Sequence, residues 1–306
     1  MPAGGYAWWY LDALSRDGTV GLTVIAFVGS VFSPYYAWAR RTTSKAPPEN
    51  FISLNVALYL PHRKLWCMTE RGSENLSRTP THLVIGPSRM HWSGHALIVD
   101  VDEIAVPFPR RIRGRIVLTP RALTGAAFAL DSSQKHVWWP IAPRAHVHAA
   151  FEAPNWTWDG DGYLDCNWGA EPLENAFTSW SWSRTPFADE TLLLYDAVQR
   201  SGPERALALS VDDDGNIVPV SPSRFAQLPT STWQLPRETR SEQAPRLVRG
   251  LEDGPFYARA SVETTWRGCR SVGMHEALSL DRFRMPLVQA MLPFRMPRRR
   301  WRQHQH

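Results

Sequence analysis

Between its 25 prolines and 19 glycines, spread along all 306 residues rather than gathered into a linker, this chain carries short runs that alternate in polarity. Residues 51–60 put Ile52, Leu54, Val56, Leu58 and Leu60 on one face and Ser53, Asn55, Ala57 and Tyr59 on the other. A period of two marks a strand, because successive side chains point to opposite sides of the pleat. Residues 111–118 set Arg111, Arg113 and Arg115 against Ile112, Ile116 and Leu118 in the same way. Residues 206–220 read as two strands around an acidic Asp-Gly turn. Further strands are expected over 22–28, 64–69, 82–85, 96–106, 147–151, 191–198 and 256–266, and a helical turn or two within 274–292. Many short strands at this spacing predict an all-β chain of antiparallel barrels or sandwiches with few short helices.

The length allows one large domain or two of ordinary size. With 43% apolar and 21% charged residues the chain has the composition of a globular protein rather than a disordered one. Cys67, Cys166 and Cys269 stand far apart without a CxxC pair, which argues against a disulfide framework or a cysteine-rich zinc site. The longest apolar stretch, residues 20–32, is interrupted by Gly21, Thr23, Gly29 and Ser30 and is too short for a membrane span. The opening MPAGGYAWWY has no basic segment leading into an apolar one, so no secretory signal is expected. Fifteen tryptophans exceed what a core requires, since buried indole N–H groups need partners. The surplus predicts a large apolar ligand or surface, although strands also favour aromatics for packing alone.

A faint echo runs through the chain. Trp8-Trp9-Tyr10 leads into a strand and a turn at Asp17-Gly18; Trp180-Ser181-Trp182 leads into residues 191–198 and a turn at Ser201-Gly202. A duplicated β-barrel with its boundary near residue 170 would explain both length and echo, giving domains over 1–170 and 171–306. Residues 295–302 (RMPRRRWR) form a basic run with a tryptophan, a composition that suits an anionic membrane surface. No nucleic-acid-binding motif accompanies it, and no nucleic-acid partner is expected.

Dinucleotide fingerprints, phosphate loops, HExxH and GxSxG are all missing. His146 and His148 share a strand face but lack an evident third metal ligand. Polar groups and aromatics are densest over residues 136–184. Tyr163 and Asp165 lie two apart, as do His136 and Trp138, so on strands each pair points to one side. A carboxyl held among tryptophans has its pKa raised by desolvation and can serve as a general acid. Residue types alone leave two readings open: a catalytic cavity, or a strand whose Asp caps a neighbouring backbone beside surface Trp–Arg stacks.

The runs GGYAWWYLDALSRDG (4–18), GSVFSPYYAWAR (29–40), HVWWPIAP (136–143), GYLDCNWGAEPLENAFTSWSWSR (162–184) and MHEALSLDRF (274–283) resemble, in order and over nearly the whole chain, the carotenoid 1,2-hydratases, also called hydroxyneurosporene synthases, of photosynthetic bacteria. The resemblance implies two lipocalin-like antiparallel β-barrel domains. It also implies a cofactor-independent addition of water to the terminal C1–C2 double bond of acyclic carotenoids such as neurosporene and lycopene. The family's H-x-W and Y-x-D pairs fall on His136, Trp138, Tyr163 and Asp165. On this expectation Asp165 protonates C2, Tyr163 orients it or relays the proton, Trp138 stabilises the C1 cation with Trp139 or Trp168, and His136 takes a proton from the attacking water. The acid and base roles are interchangeable at this level, while Glu171, Glu174 and Arg184 shape the surroundings or lock the domains. An insoluble C40 substrate predicts peripheral docking at the cytoplasmic face of the membrane. Competing expectations are a non-catalytic carrier of an apolar isoprenoid and a related terpenoid cyclase or isomerase.

Overall fold

The computed structural model describes residues 1–43 and 45–299 and is mostly β, with strands gathered into two large sheets and one small hairpin. The first sheet has twelve strands. From one edge it runs Lys64–Arg71, Ile52–Tyr59, Gly21–Val28, Tyr6–Leu14, Trp156–Gly169, His136–Ala153, Arg111–Pro120 and Ala96–Ile104, then three short strands to Leu76–Arg78 at the other edge, with Phe128–Ala129 paired onto His136–Ala153 as the twelfth. The first strand of the chain pairs antiparallel with Trp156–Gly169, the last of this sheet. The two edges are joined by the short Ser73–Asn75 helical turn, so the sheet is a curled meander.

Alternation gives this sheet two unlike buried faces. Leu11, Val24, Leu54, Val56, Val99 and Leu164 belong to one aliphatic cluster that fills the concave side. The intervening residues Tyr6, Trp8, Tyr10, Phe27, Trp138 and Tyr163 pack outward, against Trp180, Trp182, Leu193, Tyr195 and Met274 of the second sheet. That second sheet has seven strands, ordered Ile217–Pro219, Arg205–Asp212, Glu190–Gln199, Phe177–Pro186, Cys269–Ser279, Tyr257–Trp266 and Arg246–Asp253. Burying each apolar side chain stabilises by roughly 1.5–3 kcal/mol, and the aromatic pairs add about 0.5–1.5 kcal/mol each. The inter-sheet layer takes five of the fifteen tryptophans, Trp8, Trp66, Trp138, Trp180 and Trp182, while Trp9, Trp92, Trp139, Trp156 and Trp158 pack against the aliphatic cluster.

Several segments differ from their expected form. His136–Ala153 is one strand of 18 residues, although Pro140 and Pro143 lie inside it. Each proline lacks a ladder donor, and the register against Trp156–Gly169 shifts between Trp139 and Ala142 and again between Ala142 and Ala145. The helical turns expected within 274–292 are Leu280–Phe283 and Pro286–Met291, while Met274 to Ser279 continues a strand. Here Met274, Glu276 and Leu278 face one way while His275 and Ala277 face the other, so apolar groups on both faces obscured the period of two. The longest helix, Pro34–Thr42, follows Ser33, whose Oγ accepts from the amides of Tyr35 and Tyr36. Proline at its first position supplies a fixed helical φ.

Ion pairs cross the interface. Arg184, from Phe177–Pro186, donates to Asp12 on the first strand through both Nε (2.8 Å) and Nη2, and Nη2 also reaches the Asp161 carbonyl at 2.9 Å. The two side chains are 1% and 0% exposed. Arg40 of the long helix pairs with Glu174 at 2.6 Å. Breaking a buried pair on one side strands a charge and costs about 3–5 kcal/mol, whereas replacing both partners by apolar groups is much cheaper. Arg184→Leu is therefore expected to lower unfolding free energy in urea by about 3–5 kcal/mol. The double substitution Asp12→Leu/Arg184→Leu should recover a large part of that loss; simple additivity of the two single losses would show that the pair does not act as a unit.

Candidate active site

Trp156–Gly169 turns Tyr163, Asp165 and Asn167 toward the second sheet, with Leu164 and Cys166 facing the aliphatic interior. On one side Asp165 is opposite Tyr10 of the first strand. On the other, Trp138 is opposite Asn167, which brings the indole alongside residue 165. Trp138 Nε1 donates to Asp165 Oδ2 at 3.0 Å, and the Tyr163 hydroxyl donates to the same oxygen at 2.9 Å. Asn167 Nδ2 donates to Oδ1 at 3.2 Å. Asp165 is 3% exposed, Trp138 and Tyr163 0%.

Two effects oppose each other at this carboxyl. Burial disfavours its anion, while the Trp138 and Tyr163 donors favour it. Burial is the larger, and the acid is pushed up to about 8, so Asp165 holds a proton at neutral pH. Burial likewise lifts the Tyr163 phenol well above its ordinary value, leaving it a neutral donor.

Aromatic rings enclose the acid. Trp182 lies 5.2 Å from the Tyr163 ring and 5.3 Å from that of Tyr10, and Tyr195 lies 5.3 Å from Trp138. Beyond Tyr10 the interface opens into an apolar cavity of about 470 Å³ lined by Trp8, Tyr10, Phe27, Phe32, Trp66 and Trp180 among others. Tyr10 is both a wall of that cavity and the cross-strand neighbour of Asp165. Its hydroxyl is buried without a hydrogen-bond partner among the described residues. The charged residues of its lining are Lys64, Glu252, Asp253, Arg259, Glu276 and Arg295, of which Arg259, Glu252 and Glu276 form one ion cluster. A larger cleft of about 670 Å³ has Arg16, Arg121, Asp161, Arg267 and Arg270 in its lining. That lining does not suit an apolar ligand, and the smaller cavity is the one beside the acid.

Of the residues expected at the site, Trp138, Tyr163 and Asp165 come together and His136 stands apart. His136 is opposite Gly169, four residues along the strand from Asp165, roughly 13 Å at about 3.3 Å per residue. Its Nδ1 bonds the Tyr6 hydroxyl at 2.8 Å, and its Nε2 has no hydrogen bond and sits 3.8 Å from Glu171. Burial pushes the imidazole below its ordinary value, toward the neutral base. Glycine is required at 169: a Cβ there would come within 2.5 Å of the Tyr6 ring and 2.8 Å of His136 Nδ1. Trp139 faces away from Trp138, packs on the aliphatic interior and donates to the Thr124 carbonyl at 3.0 Å. Trp168 likewise alternates away from Asn167 and is 37% exposed. His146 and His148 both approach Asp159 at the surface (3.2 and 3.0 Å), and no metal-holding group of three such side chains occurs among the described residues. Cys67 and Cys166 are buried and Cys269 exposed, all unpaired.

Three site residues were not singled out from sequence. Tyr10 lay within a quoted run, and alternation from Trp8 already placed it on the aromatic face. Glu276 interrupts the apolar face Met274–Leu278, and Arg259 sits in a small-residue strand; a charge in either setting signals a buried partner.

The model of the carotenoid hydratase CrtC family matches residues 24–305. The chain is 51% identical to the acyclic carotenoid 1,2-hydratase of Thiocapsa roseopersicina over 96% of its own length and 73% of that protein. It is 43% identical to the acyclic carotenoid 1,2-hydratase of Cereibacter sphaeroides, over 90% and 98%. Two solved structures share the fold: kievitone hydratase from Nectria haematococca (TM-score 0.59, 11% identity, 92% of each chain) and CghA with Sch210972 (0.56, 12%, 90% and 88%). With a family model spanning most of its length and relatives so similar, the chain belongs to the carotenoid hydratase CrtC family.

Proposed function

We propose that this enzyme adds water across the terminal C1–C2 double bond of an acyclic carotenoid such as neurosporene or lycopene, giving the 1-hydroxy product. The observation that carries the mechanism is the protonated Asp165 carboxyl, fixed by Trp138 and Tyr163 inside an aromatic interface. An alkene is a weak base, so hydration begins with proton transfer from a positioned acid. Trp138 and Tyr163 both occupy Oδ2, which leaves the transferable proton to Oδ1. Transfer to C2 leaves a tertiary cation at C1, which the π faces of Trp182, Tyr10 and Trp138 stabilise by about 0.5–2 kcal/mol each. The fixed donors stabilise the carboxylate left behind, and such preorganised electrostatics carry the larger share. The alkene tip reaches the acid past the Tyr10 ring, which no hydrogen bond to a described residue holds in place. Nothing in these steps calls for electron transfer or an organic cofactor.

His136 is assigned a positioning role at the Tyr6 end of the same strand, since its distance from Asp165 is too great for work on the same carbon. The division into two lipocalin-like barrel domains, 1–170 and 171–306, belongs to the same reading. It is supported by the first sheet drawing its strands from Tyr6–Gly169 and the second from Phe177–Ser279.

Asp165→Asn keeps the shape but has no acidic proton. Hydration of lycopene in detergent should fall by about 10²–10⁴-fold, with carotenoid quenching of tryptophan fluorescence and the melting temperature near wild type. Full turnover in this variant would remove Asp165 from the acid role. Because burial raises this pKa, the proton is present below about 8 and lost above it. Wild-type kcat should therefore decline as pH rises through that value, while the group's contribution to stability, full below its ordinary pKa of 3.8, is lost as pH rises from there to about 8.

A carotenoid is collected from a bilayer rather than from water. No helix among the described residues is long and apolar enough to cross one. The cavity lining includes Val106, Pro107, Leu292 and Arg295, and beside them Phe108 and Phe294 are 78% and 83% exposed. We place this rim in the headgroup region of the cytoplasmic leaflet, where anionic lipid attracts arginine. Arg298 is partly used internally, bonding Glu70 at 2.6 Å, and residues 300–302 of the basic run lie outside the described residues. Phe108→Ser/Phe294→Ser should abolish sedimentation with anionic vesicles and turnover from them while leaving turnover in detergent unchanged. Equal loss in both media would refute docking by this rim.

A further inference from the structure

The proposed hydration requires a group that takes a proton from water, and the cavity holds one that the H-x-W and Y-x-D pairs do not include. Glu276 lies opposite Trp182 on one side and Arg259 on the other, in the second sheet. Trp182 in turn covers Tyr163 and Tyr10. Glu276 therefore faces the Asp165 row from across the interface, on the wall of the apolar cavity.

Its two oxygens differ. Oε1 accepts from Arg259 Nε at 2.7 Å. Oε2 receives no hydrogen bond from any described residue, yet it is not among the sealed, unpartnered buried atoms, so it borders open space. The other carboxylate of the cluster, Glu252, is saturated by contrast. It accepts from the Tyr59 hydroxyl at 2.5 Å, from Trp66 Nε1 at 3.0 Å and from Arg259 Nη1. Arg259 also donates to the Tyr59 hydroxyl at 2.7 Å and is itself 1% exposed. A buried guanidinium fixed by this many partners holds Glu276 in one orientation, and of the two glutamates Glu276 alone keeps an oxygen free of any described donor, on the wall of the cavity.

We propose that Glu276 is the general base of the reaction: Oε2 binds the attacking water and takes one of its protons as the water oxygen bonds to C1. The proposal rests on the hydration reading. Asp165 loses a proton to C2, water loses one to Glu276, and the new C–O and C–H bonds replace the π bond. Protonated Glu276 and deprotonated Asp165 are restored before the next turnover by exchanging one proton through cavity water.

The test runs wild type, Glu276→Gln, Glu263→Gln and Asp165→Asn with lycopene in detergent made up in D₂O. Wild type should yield alcohol carrying one deuterium at C2; failure to form any water adduct would defeat the hydration reading itself. Glu276→Gln keeps an acceptor for Arg259 and should lower hydration by about 10²-fold or more. Protonation at C2 still occurs in that variant and reverses, so the recovered alkene should acquire deuterium at C2, whereas with Asp165→Asn it should not. Glu263→Gln, on the Arg259 strand but paired with Arg246 at the surface and outside the cavity lining, should stay within tenfold of wild type. Hydration within tenfold of wild type in Glu276→Gln, loss of both hydration and exchange there, or equal losses in the two glutamate variants would each overturn the assignment. Should Glu276→Gln fold poorly, restoration of hydration to Glu276→Ala by formate supports the same role, and absence of rescue in folded Glu276→Ala opposes it.

Discussion

Through Tyr6–Leu14, Gly21–Val28 and Ile52–Tyr59 the first sheet is buried on both faces, and everything else in this molecule follows from the different use of those faces. One face is filled with leucine, valine and isoleucine to the point that the curled interior has no job left but cohesion. A lipocalin-like barrel that holds a ligand keeps its interior open; here an aliphatic cluster packs the interior, and the apolar cavity described above lies outside it, at the seam with the second sheet. That seam is lined by rings rather than branched aliphatics. Flat rings held at fixed angles leave gaps that aliphatic chains would fill, and their faces are mildly negative.

Putting a carboxyl in such a seam sets its chemistry chiefly by burial, with the Glu276 and Asp12 carboxylates pushing its pKa the same way. Indole and phenol donors hold Asp165 in place and stabilise its anion, but they do not restore what water would have given. The group that results is both well oriented and reluctant to ionise, the two properties a proton donor to carbon needs. The charged cluster of Arg259, Glu252 and Glu276 is arranged differently. There the acceptors and donors nearly satisfy one another, so the cluster can sit beside an apolar cavity without leaving an isolated charge.

The all-β class was legible because period-two alternation is a local property of strands, visible in residues 51–60 without any tertiary information. The clustering of Trp138, Tyr163 and Asp165 was half legible: same-side spacing gave each pair, but the register shifts after Trp139 decide which residue of the neighbouring strand each one meets. Those shifts bring Trp138 opposite Asn167, beside Asp165, where the unshifted hairpin register would set it opposite Gly169; His136 still lies four residues from Asp165. Alternation also dictates that Trp139 and Trp168 turn away, which spacing from Trp138 and Asn167 already implied. Glu276 and Arg259 were hidden for another reason. They reach the site from strands over a hundred residues downstream of Trp138, and only sheet-on-sheet packing brings them there. The strand through Pro140 and Pro143 and the Pro34–Thr42 helix were obscured by proline, which reads equally as a break, a bulge or a helix start.

All three hydrogen bonds to Asp165 come from the same sheet as the carboxyl itself, while Trp182, Tyr195 and the carboxylate across the seam come from the other. The donor set is thus internal to one rigid body, and its alignment with the opposing wall is a matter between two. Warming that loosens the seam while each sheet keeps its ladders would leave a competent acid with nothing in front of it. Heat inactivation would then precede the loss of far-ultraviolet circular dichroism, and a carotenoid gripped by both sheets would narrow the gap by binding them as one.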